Sequence, residues 1–175
     1  YGTHYDLQTL APTLRDWVEA GGGLIASAPI INQAGQDYGT PLYDIDAIVP
    51  VNTTVSSSNN WAYTDVLITA PIHPITANVT GFYVESIEVA VPDVGATTLA
   101  TYNGNPAVVI GNPGLGRSVF LAPFYASDGY LLNDPDADRL VEQAVAWAAG
   151  SSIDRYRFEA VAGGQALPGG GGVEG

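Results

Sequence analysis

The sequence predicts a mixed α/β domain, in which amphipathic helices pack on a β-sheet. A helix, a glycine triplet and a short apolar run follow one another near the N-terminus, and three β-rich runs precede a long helix near the C-terminus. The first arrangement is typical of a parallel α/β sheet, whereas the second adds an antiparallel meander. With 175 residues, of which 46% are hydrophobic, the chain has the size of one domain with a sizeable core.

The first predicted helix carries apolar side chains at helical spacing, at Leu7, Leu10, Leu14, Trp17 and Val18. Gly21-Gly22-Gly23 then ends the helix, because glycine adopts a positive φ at little cost. The run Leu24 to Ala28 is short and apolar and is followed by Pro29. We therefore expect a strand there that is buried on both faces of a parallel sheet.

The middle of the chain has a weaker pattern. Residues 30–58 are mostly polar around one apolar piece, Ile45 to Val51, which predicts a loop with a short element. Asp65 to Thr69 and Val84 to Val91 predict strands. The prolines around His73 hold the segment between these strands extended or turned.

Residues 96–123 predict an antiparallel meander. Asn103-Gly104 joins the β-rich runs 97–102 and 107–110, and an Asn-Gly pair is a strong hairpin signal because both turn positions favour positive φ. A glycine-containing turn then leads to a third run, Ser118 to Leu121. The glycines of that turn join two strands rather than a strand and a helix, so a phosphate-binding loop is not expected.

A second amphipathic helix follows, with Asp134 as its N-cap and Pro135 at its first position. Its apolar stripe consists of Ala137, Leu140, Val141, Ala144, Val145 and Ala148. Capping accounts for the acidic residues at 134, 136 and 138 better than a calcium loop, which requires a glycine where Arg139 stands. We expect residues 1–150 to form the α/β domain, and 151–175 to be a linker strand with a glycine-rich tail.

The charge balance excludes several classes of partner. The net charge is −13, from 18 acidic residues against five arginines, and lysine is absent. Such a chain cannot neutralise a run of phosphates, so neither nucleic acid nor an anionic membrane surface is an expected partner. There is also no apolar run long enough to insert into a bilayer, for which about 20 residues are needed.

The absence of cysteine excludes disulfides, thiolate metal sites and cysteine nucleophiles. An acidic chain without lysine or cysteine leads us to expect an extracellular or cell-surface setting. Two sequons, at Asn52 and Asn78, are compatible with glycosylation there.

Four segments resemble the class I glutamine amidotransferase-like superfamily, most closely its secreted ThuA-like and trimerisation-domain-like branches. They occur in the family's order: Leu14 to Ile25, His73-Pro74-Ile75-Thr76 followed by Phe82, Gly116 to Leu121, and Ala146 to Gly150. The resemblance covers about residues 7–150. It implies a flavodoxin-like, three-layer α/β/α sandwich.

Two departures from this family matter. Members usually begin with one or two βα units before the glycine turn, so we expect that the chain is cut there or that another polypeptide supplies those strands. The resemblance also implies a catalytic cysteine at the sharp turn after the first strand, where this chain has Ser27-Ala28-Pro29. Amide transfer is therefore rejected. A serine hydrolase built on Ser27 lacks the Gly-x-Ser-x-Gly elbow.

The last part of the chain has a resemblance of its own. Asp154 to Gly163 is similar to the first strand of small β-sandwich modules attached to secreted bacterial peptidases and surface proteins. Only one such strand is present, so the resemblance implies a domain boundary near Gly150 and the start of a second module.

Three residues are candidates for ligand binding. His73 lies between two prolines and could act as a general base or metal ligand, or it could serve only the geometry of its loop. Tyr125 and Asp128 follow the last strand of the meander, where the aromatic ring could stack on a sugar or seal the core. We expect no catalytic residue, cofactor or metal site.

The leading hypothesis is a non-catalytic structural or interaction domain of a secreted or cell-surface protein. In its sharper form, the strand around Tyr156 and Phe158 pairs with a neighbouring subunit, which gives a homo-oligomer or polymer by strand addition. The alternative is a carbohydrate-binding or carbohydrate-active accessory domain of ThuA-like type, with a glycan partner bound by His73, Tyr125 and Asp128.

Overall fold

The computed structural model describes residues 5–35, 41–55, 59–125 and 131–150, which form a mixed α/β fold. Its helices are α1 (Tyr5–Glu19), α2 (Ile30–Gly35), α3 (Tyr43–Asp46) and α4 (Pro135–Ala148), with a 3₁₀ turn at Leu131–Asn133. Its strands are β1 (Gly23–Ser27), β2 (Asn59–Ile68), β3 (Gly81–Glu88), β4 (Thr97–Tyr102), β5 (Asn105–Gly111) and β6 (Arg117–Leu121).

The strands form one sheet in the order β1-β6-β5-β4-β2-β3. Among the described strands, the pair β1–β6 is parallel and the other four pairs are antiparallel. The expected parallel sheet is therefore reduced to one pair. The reason is the length of the connections, because the short turns that join β4, β5 and β6 permit antiparallel pairing, whereas parallel strands need a long crossover.

The predicted meander is confirmed. Strand β4 pairs with β5, and β5 with β6, all in antiparallel register. The turn at Asn103-Gly104 has φ values of 43° and 80°, so both residues take the positive φ that the Asn-Gly signal requires.

The prediction that β1 is buried on both faces is wrong. Strand β1 lies at the edge of the described sheet, and of its five residues only Ala26 is buried. A continuous apolar run indicates burial only when neighbours cover both the faces and the edges of the strand. Here β6 pairs with one edge, and the described part of the chain supplies no strand for the other.

The strands in the middle of the chain begin earlier than predicted. Strand β2 begins at Asn59 rather than Asp65, and β3 runs from Gly81 to Glu88 rather than from Val84 to Val91. The helix α2 was not predicted, because residues 30–58 show no helical periodicity long enough to recognise.

Helix α4 packs on the sheet through its predicted apolar stripe, where Ala137, Leu140 and Ala144 are fully buried. The predicted N-cap is confirmed: the Asp134 carboxylate accepts hydrogen bonds from the backbone N–H groups of Asp136, at 2.8 Å, and Ala137, at 3.2 Å.

The sheet curls so that its β3 edge meets the chain that leaves β6. An isolated antiparallel bridge joins Ile87 to Pro123. The N–H of Glu88 donates to the carbonyl of Ala122 at 2.9 Å, and the N–H of Phe124 donates to the carbonyl of Ser86 at 3.3 Å. The C-terminal end of the β3 edge is therefore covered by the protein's own backbone.

Candidate interaction surface

In α/β folds, ligands commonly bind beyond the carboxyl ends of parallel strands. In this protein a fully buried carboxylate, Glu88, occupies that region. Its Oε2 accepts a hydrogen bond from the N–H of Ile31 at 3.1 Å, and its Oε1 accepts one from the N–H of Asn32 at 2.8 Å. The first amides of α2, just beyond Ser27 at the end of β1, thus bind a side chain of the protein itself.

Glu88 was missed in the sequence because its partners lie 57 and 56 residues away. The available signal was its position at the end of a strand whose alternate residues are apolar. An acidic residue at the inward end of such a strand must find donors, since a buried carboxylate without partners is very costly.

His73 forms part of a tight turn beside α4. Its Nδ1 accepts a hydrogen bond from the N–H of Ile75 at 3.2 Å, and its ring lies 5.7 Å from that of Trp147. Thr76 closes the turn by donating to the carbonyls of Ala70 and His73. Burial lowers the pKa of His73, which favours the neutral imidazole. The imidazole is thus held by contacts within its own turn and with α4.

Tyr125 lies at the other end of α4. Its ring is 6.5 Å from that of Phe82, and burial, followed by the negative charge of Asp134, raises the pKa of its hydroxyl. Tyr125 is near Asp134, at the start of α4, whereas His73 contacts Trp147, near its end. These two helix positions are about 20 Å apart, at 1.5 Å per residue. The structure does not bring these two candidates together, and Asp128 lies outside the described residues.

The two sequon asparagines lie in turns. Asn78 is exposed with a φ of 58°, and its carbonyl accepts a hydrogen bond from Arg139 at 2.7 Å. Asn52 is half-buried, and its Oδ1 accepts bonds from both the N–H and the hydroxyl of Thr54, at 2.9 and 2.7 Å. The side chain of Asn78 is the more accessible of the two. Tyr156 and Phe158 lie outside the described residues.

The outer edge of β1 presents unpaired backbone groups. On the inner edge, the carbonyl of Gly22 accepts from Arg117 at 3.2 Å and the N–H of Ala28 donates to Leu121 at 3.1 Å. Because alternate residues of a strand face the same neighbour, Leu24 and Ala26 also point to β6. The N–H and C=O groups of Gly23, Ile25 and Ser27 therefore face away from β6, where no described strand pairs with them.

An apolar groove of about 550 Å³ lies beside this edge. The C-terminal turns of α1 and α4 line it together with the start of β1, through Trp17, Ala20, Ile25, Val145 and Ala148 among others. Trp17 is 54% exposed and Val145 is 50% exposed, although both belong to amphipathic helices. The edge therefore combines free backbone hydrogen-bonding groups with exposed apolar side chains.

The close contact between the end of α4 and the start of β1 requires a glycine at position 23. A Cβ atom on Gly23 would lie 2.2 Å from the carbonyl oxygen of Ala148, far inside a normal contact. The last turn of α4 thus lies directly against the first residue of β1. Ala149, which follows α4, lines the same groove.

Solved structures with a similar fold were found. A cytoplasmic protein of Salmonella typhimurium LT2 matches with a TM-score of 0.60 and 17% identity over 80% of this chain and 58% of its own. A ThuA-like protein of Bacteroides uniformis matches with a TM-score of 0.57 and 14% identity over 82% of this chain and 65% of its own. At these identities the similarity is one of fold.

A much longer protein also contains this fold. The cold-adapted β-galactosidase of Rahnella sp. R3 matches with a TM-score of 0.53 and 19% identity, over 78% of this chain but 20% of its own. The chain thus spans less than two thirds of the length of each of these three proteins. No protein-family model and no curated protein matches the sequence. Within the described residues, no helix is long and apolar enough to cross a membrane.

Proposed function

We propose that this protein is a non-catalytic structural or interaction module that assembles by strand addition to the outer edge of β1. The observation that carries the proposal is the coincidence of unpaired backbone groups at Gly23, Ile25 and Ser27 with the apolar groove beside them. An added strand would satisfy these groups and cover Trp17 and Val145. Proteins usually protect such edges, because an exposed edge is a template for pairing with another chain.

The proposed occupant is the segment Ile153 to Val161 of a neighbouring copy. Its sequence alternates in strand fashion around Tyr156 and Phe158, which would supply the apolar side chains for the groove. Each copy would offer its edge to one neighbour and its segment to another. Such head-to-tail contacts close into a ring or continue as a polymer, depending on the rotation between copies.

The family assignment belongs to the same proposal. The order of the sequence segments and the fold similarity to a ThuA-like protein support an amidotransferase-like, flavodoxin-like domain over residues 7–150. The residue at the nucleophile position is not cysteine, and Glu88 binds the amides that follow it. Both features favour a domain without amide-transfer chemistry.

A module role agrees with the β-galactosidase comparison, in which this fold makes up a fifth of the chain. We further propose that the parent protein works outside the cell. The acidic, lysine-free composition and the exposed sequon at Asn78 support this setting. Mass spectrometry of the protein from its native host would detect a glycan at Asn78.

The mass of the protein in solution tests strand addition. Sedimentation of the full chain is expected to show assembly that increases with concentration. Ile25→Pro removes one outward N–H and leaves the bonds to β6 intact, since proline is tolerated at a strand edge. We expect this variant to be monomeric and folded by circular dichroism. Ile25→Val keeps the N–H and is expected to assemble like the parent.

Two further variants identify the occupant. Deletion of residues 151–175, and separately Phe158→Asp, should each give monomers. A deleted chain that still assembles would show that the occupant is not this segment. If the full chain is monomeric at all concentrations, assembly by strand addition is contradicted.

A further inference from the structure

A cavity of about 310 Å³ lies at the end of the sheet where β5 ends and β6 begins. Its walls come from three parts of the chain: residues 47–50 after α3, residues 93–96 before β4, and the turn between β5 and β6 with Ser118. Most of these residues are small or apolar, and Asp93 is the one titratable group among the described residues that line the cavity. The cavity thus combines a single carboxyl group with a largely apolar wall.

The backbone fixes Asp93 in this wall. Its N–H donates to the carbonyl of Pro50 at 3.2 Å, and its carbonyl accepts from the N–H of Ala96 at 3.0 Å. An antiparallel bridge between Val51 and Pro92 joins the same two segments. Because these contacts use only backbone atoms, the wall does not depend on the Asp93 carboxyl group, and a substitution of this side chain should preserve the shape of the cavity.

The Asp93 carboxylate has no cationic partner within the described chain. The three arginines of that part of the chain are engaged elsewhere. Arg15 and Arg139 form ion pairs on their own helices, and Arg117 donates to the backbone at the end of α4. A partly buried carboxylate without a counter-ion is unfavourable, so a cation placed beside it would be stabilising.

Asp46 adds a second negative charge near Asp93. Its carboxylate accepts hydrogen bonds from the N–H of Thr53, at 2.7 Å, and from the Thr53 hydroxyl, at 3.1 Å, which hold it in place. Burial, and then the charge of Asp46, raises the pKa of Asp93 to about 6. Both effects oppose ionisation of Asp93 in the protein alone, and a bound cation would offset them.

We propose that this cavity binds a small organic monocation, whose ammonium group pairs with the Asp93 carboxylate while its carbon chain contacts the apolar wall. An anion would be repelled by the two carboxylates and by the net charge of −13. A free amine and the lysine side chain of another protein share the required chemistry. The proposal is independent of strand addition, because none of the residues that line this cavity belongs to β1.

A divalent metal ion fits the cavity less well. Calcium takes about six to eight oxygen ligands, and magnesium requires a near-octahedral set. Within the described residues, no three His, Asp or Glu side chains come together as a metal site. One carboxylate in an apolar wall is better matched by a cation that carries its own apolar body.

Saturation-transfer NMR with butylammonium chloride tests the proposal on the full chain, and the method remains usable if the protein assembles. At pH 7 we expect binding with a Kd in the millimolar range. Asp93→Asn should raise the Kd about tenfold. Asp65→Asn is the matched control, because it removes the same charge from an exposed position on β2, and it should leave the Kd unchanged.

Two further titrations define the charge requirement. Butanol has nearly the same shape as butylammonium but no charge, and its Kd should be at least about tenfold higher. At pH 5 the ligand is still protonated whereas most Asp93 is neutral, so binding of butylammonium should weaken about tenfold relative to pH 7. Asp93→Asn should abolish this dependence on pH.

A short peptide with one internal lysine and blocked ends separates the two sources of the cation. Displacement of butylammonium by the peptide would support the lysine side chain of a partner protein. Binding of butylammonium that the peptide does not displace would support a free amine.

Three results would overturn the proposal. The first is the absence of saturation transfer to butylammonium at millimolar concentration, while the protein is folded. The second is binding that Asp93→Asn leaves unchanged, which would place the cation elsewhere. The third is equal binding of butanol, which would show that the cavity does not recognise charge.

Discussion

The two edges of the described sheet differ in how they are closed. At the β3 edge, the backbone of residues 122–124 bonds to Ser86 and Glu88, and the Glu88 carboxylate joins the strand end to α2. At the β1 edge, the backbone groups of Gly23, Ile25 and Ser27 face an apolar groove. The C-terminal end of one edge is thus covered within the described chain, whereas no described strand pairs with the other edge.

Within the described residues, backbone from another part of the chain covers the end of the β3 edge, whereas the β1 edge stays open. A sheet of this size can cover an edge with a short crossing segment, as it does at β3. Among the residues that the structure describes, no segment crosses the β1 edge in this way, although α1 and α4 end beside it. If β1 receives a strand as proposed, substitutions on the β3 side should mainly change stability, and substitutions of the outward groups of β1 should mainly change association.

The largest expected effect on stability is at the closed edge. Glu88→Ala leaves the amides of Ile31 and Asn32 without their acceptor inside the core, and we expect a loss of about 3 kcal/mol or more in the free energy of unfolding. Glu88→Gln keeps one acceptor oxygen and should lose less. Urea denaturation measures both. If the Ala variant is as stable as the parent, Glu88 does not close this side of the fold.

A smaller loss of stability is expected at the open edge. Gly23→Ala would bring its methyl group against the Ala148 carbonyl, so α4 must shift, and we expect a cost of about 2 kcal/mol. The control is Gly104→Ala, where a Cβ meets nothing within 4 Å and only the φ of 80° opposes it. We expect about 1 kcal/mol there. Equal thermal stabilities for the two variants would contradict the close packing of α4 on β1.

The smallest effect concerns Asp93, which belongs to neither edge. Burial, and then the negative charge of Asp46, raises the pKa of Asp93 to about 6 from 3.8. The folded state thus disfavours ionised Asp93 and loses stability as the pH rises from about 4 to about 6. Because the group is partly exposed, solvent screening limits the effect to about 1 kcal/mol.

Asp93→Asn removes this penalty. The variant should match the parent at pH 4 and exceed it in stability at pH 7, while its assembly stays unchanged. Urea midpoints across this pH range, combined with sedimentation at pH 7, provide the measurement. A difference from the parent that does not vary with pH would show that Asp93 ionises normally. A change in assembly would show that the effect reaches the β1 edge.

The sequence predicted those parts of the fold that local signals determine. The Asn103-Gly104 hairpin, the Asp134 cap and both long helices depend on neighbours within a few residues, and all are present. The exposure of β1 was mispredicted, because a run such as Leu24 to Ala28 has the same composition whether or not a strand lies beside it. Edge position is a property of the whole sheet.

For the candidate site residues, too, local signals were predictable and contacts distant in sequence were not. The rigid turn at His73 followed from its flanking prolines, but its contact with Trp147 spans more than 70 positions in the chain. Glu88 was missed, because its role depends on strand pairing and on which face of the hairpin is buried.

Residue-resolved hydrogen exchange of the β1 amides tests the central claim most directly. In the full chain at assembling concentration, the amides of Gly23, Ile25 and Ser27 should be protected as strongly as those of Leu24 and Ala26. After deletion of residues 151–175, the three outward amides should exchange fast while the two inward ones stay protected. Fast exchange of the outward amides in the full chain would contradict strand addition at β1.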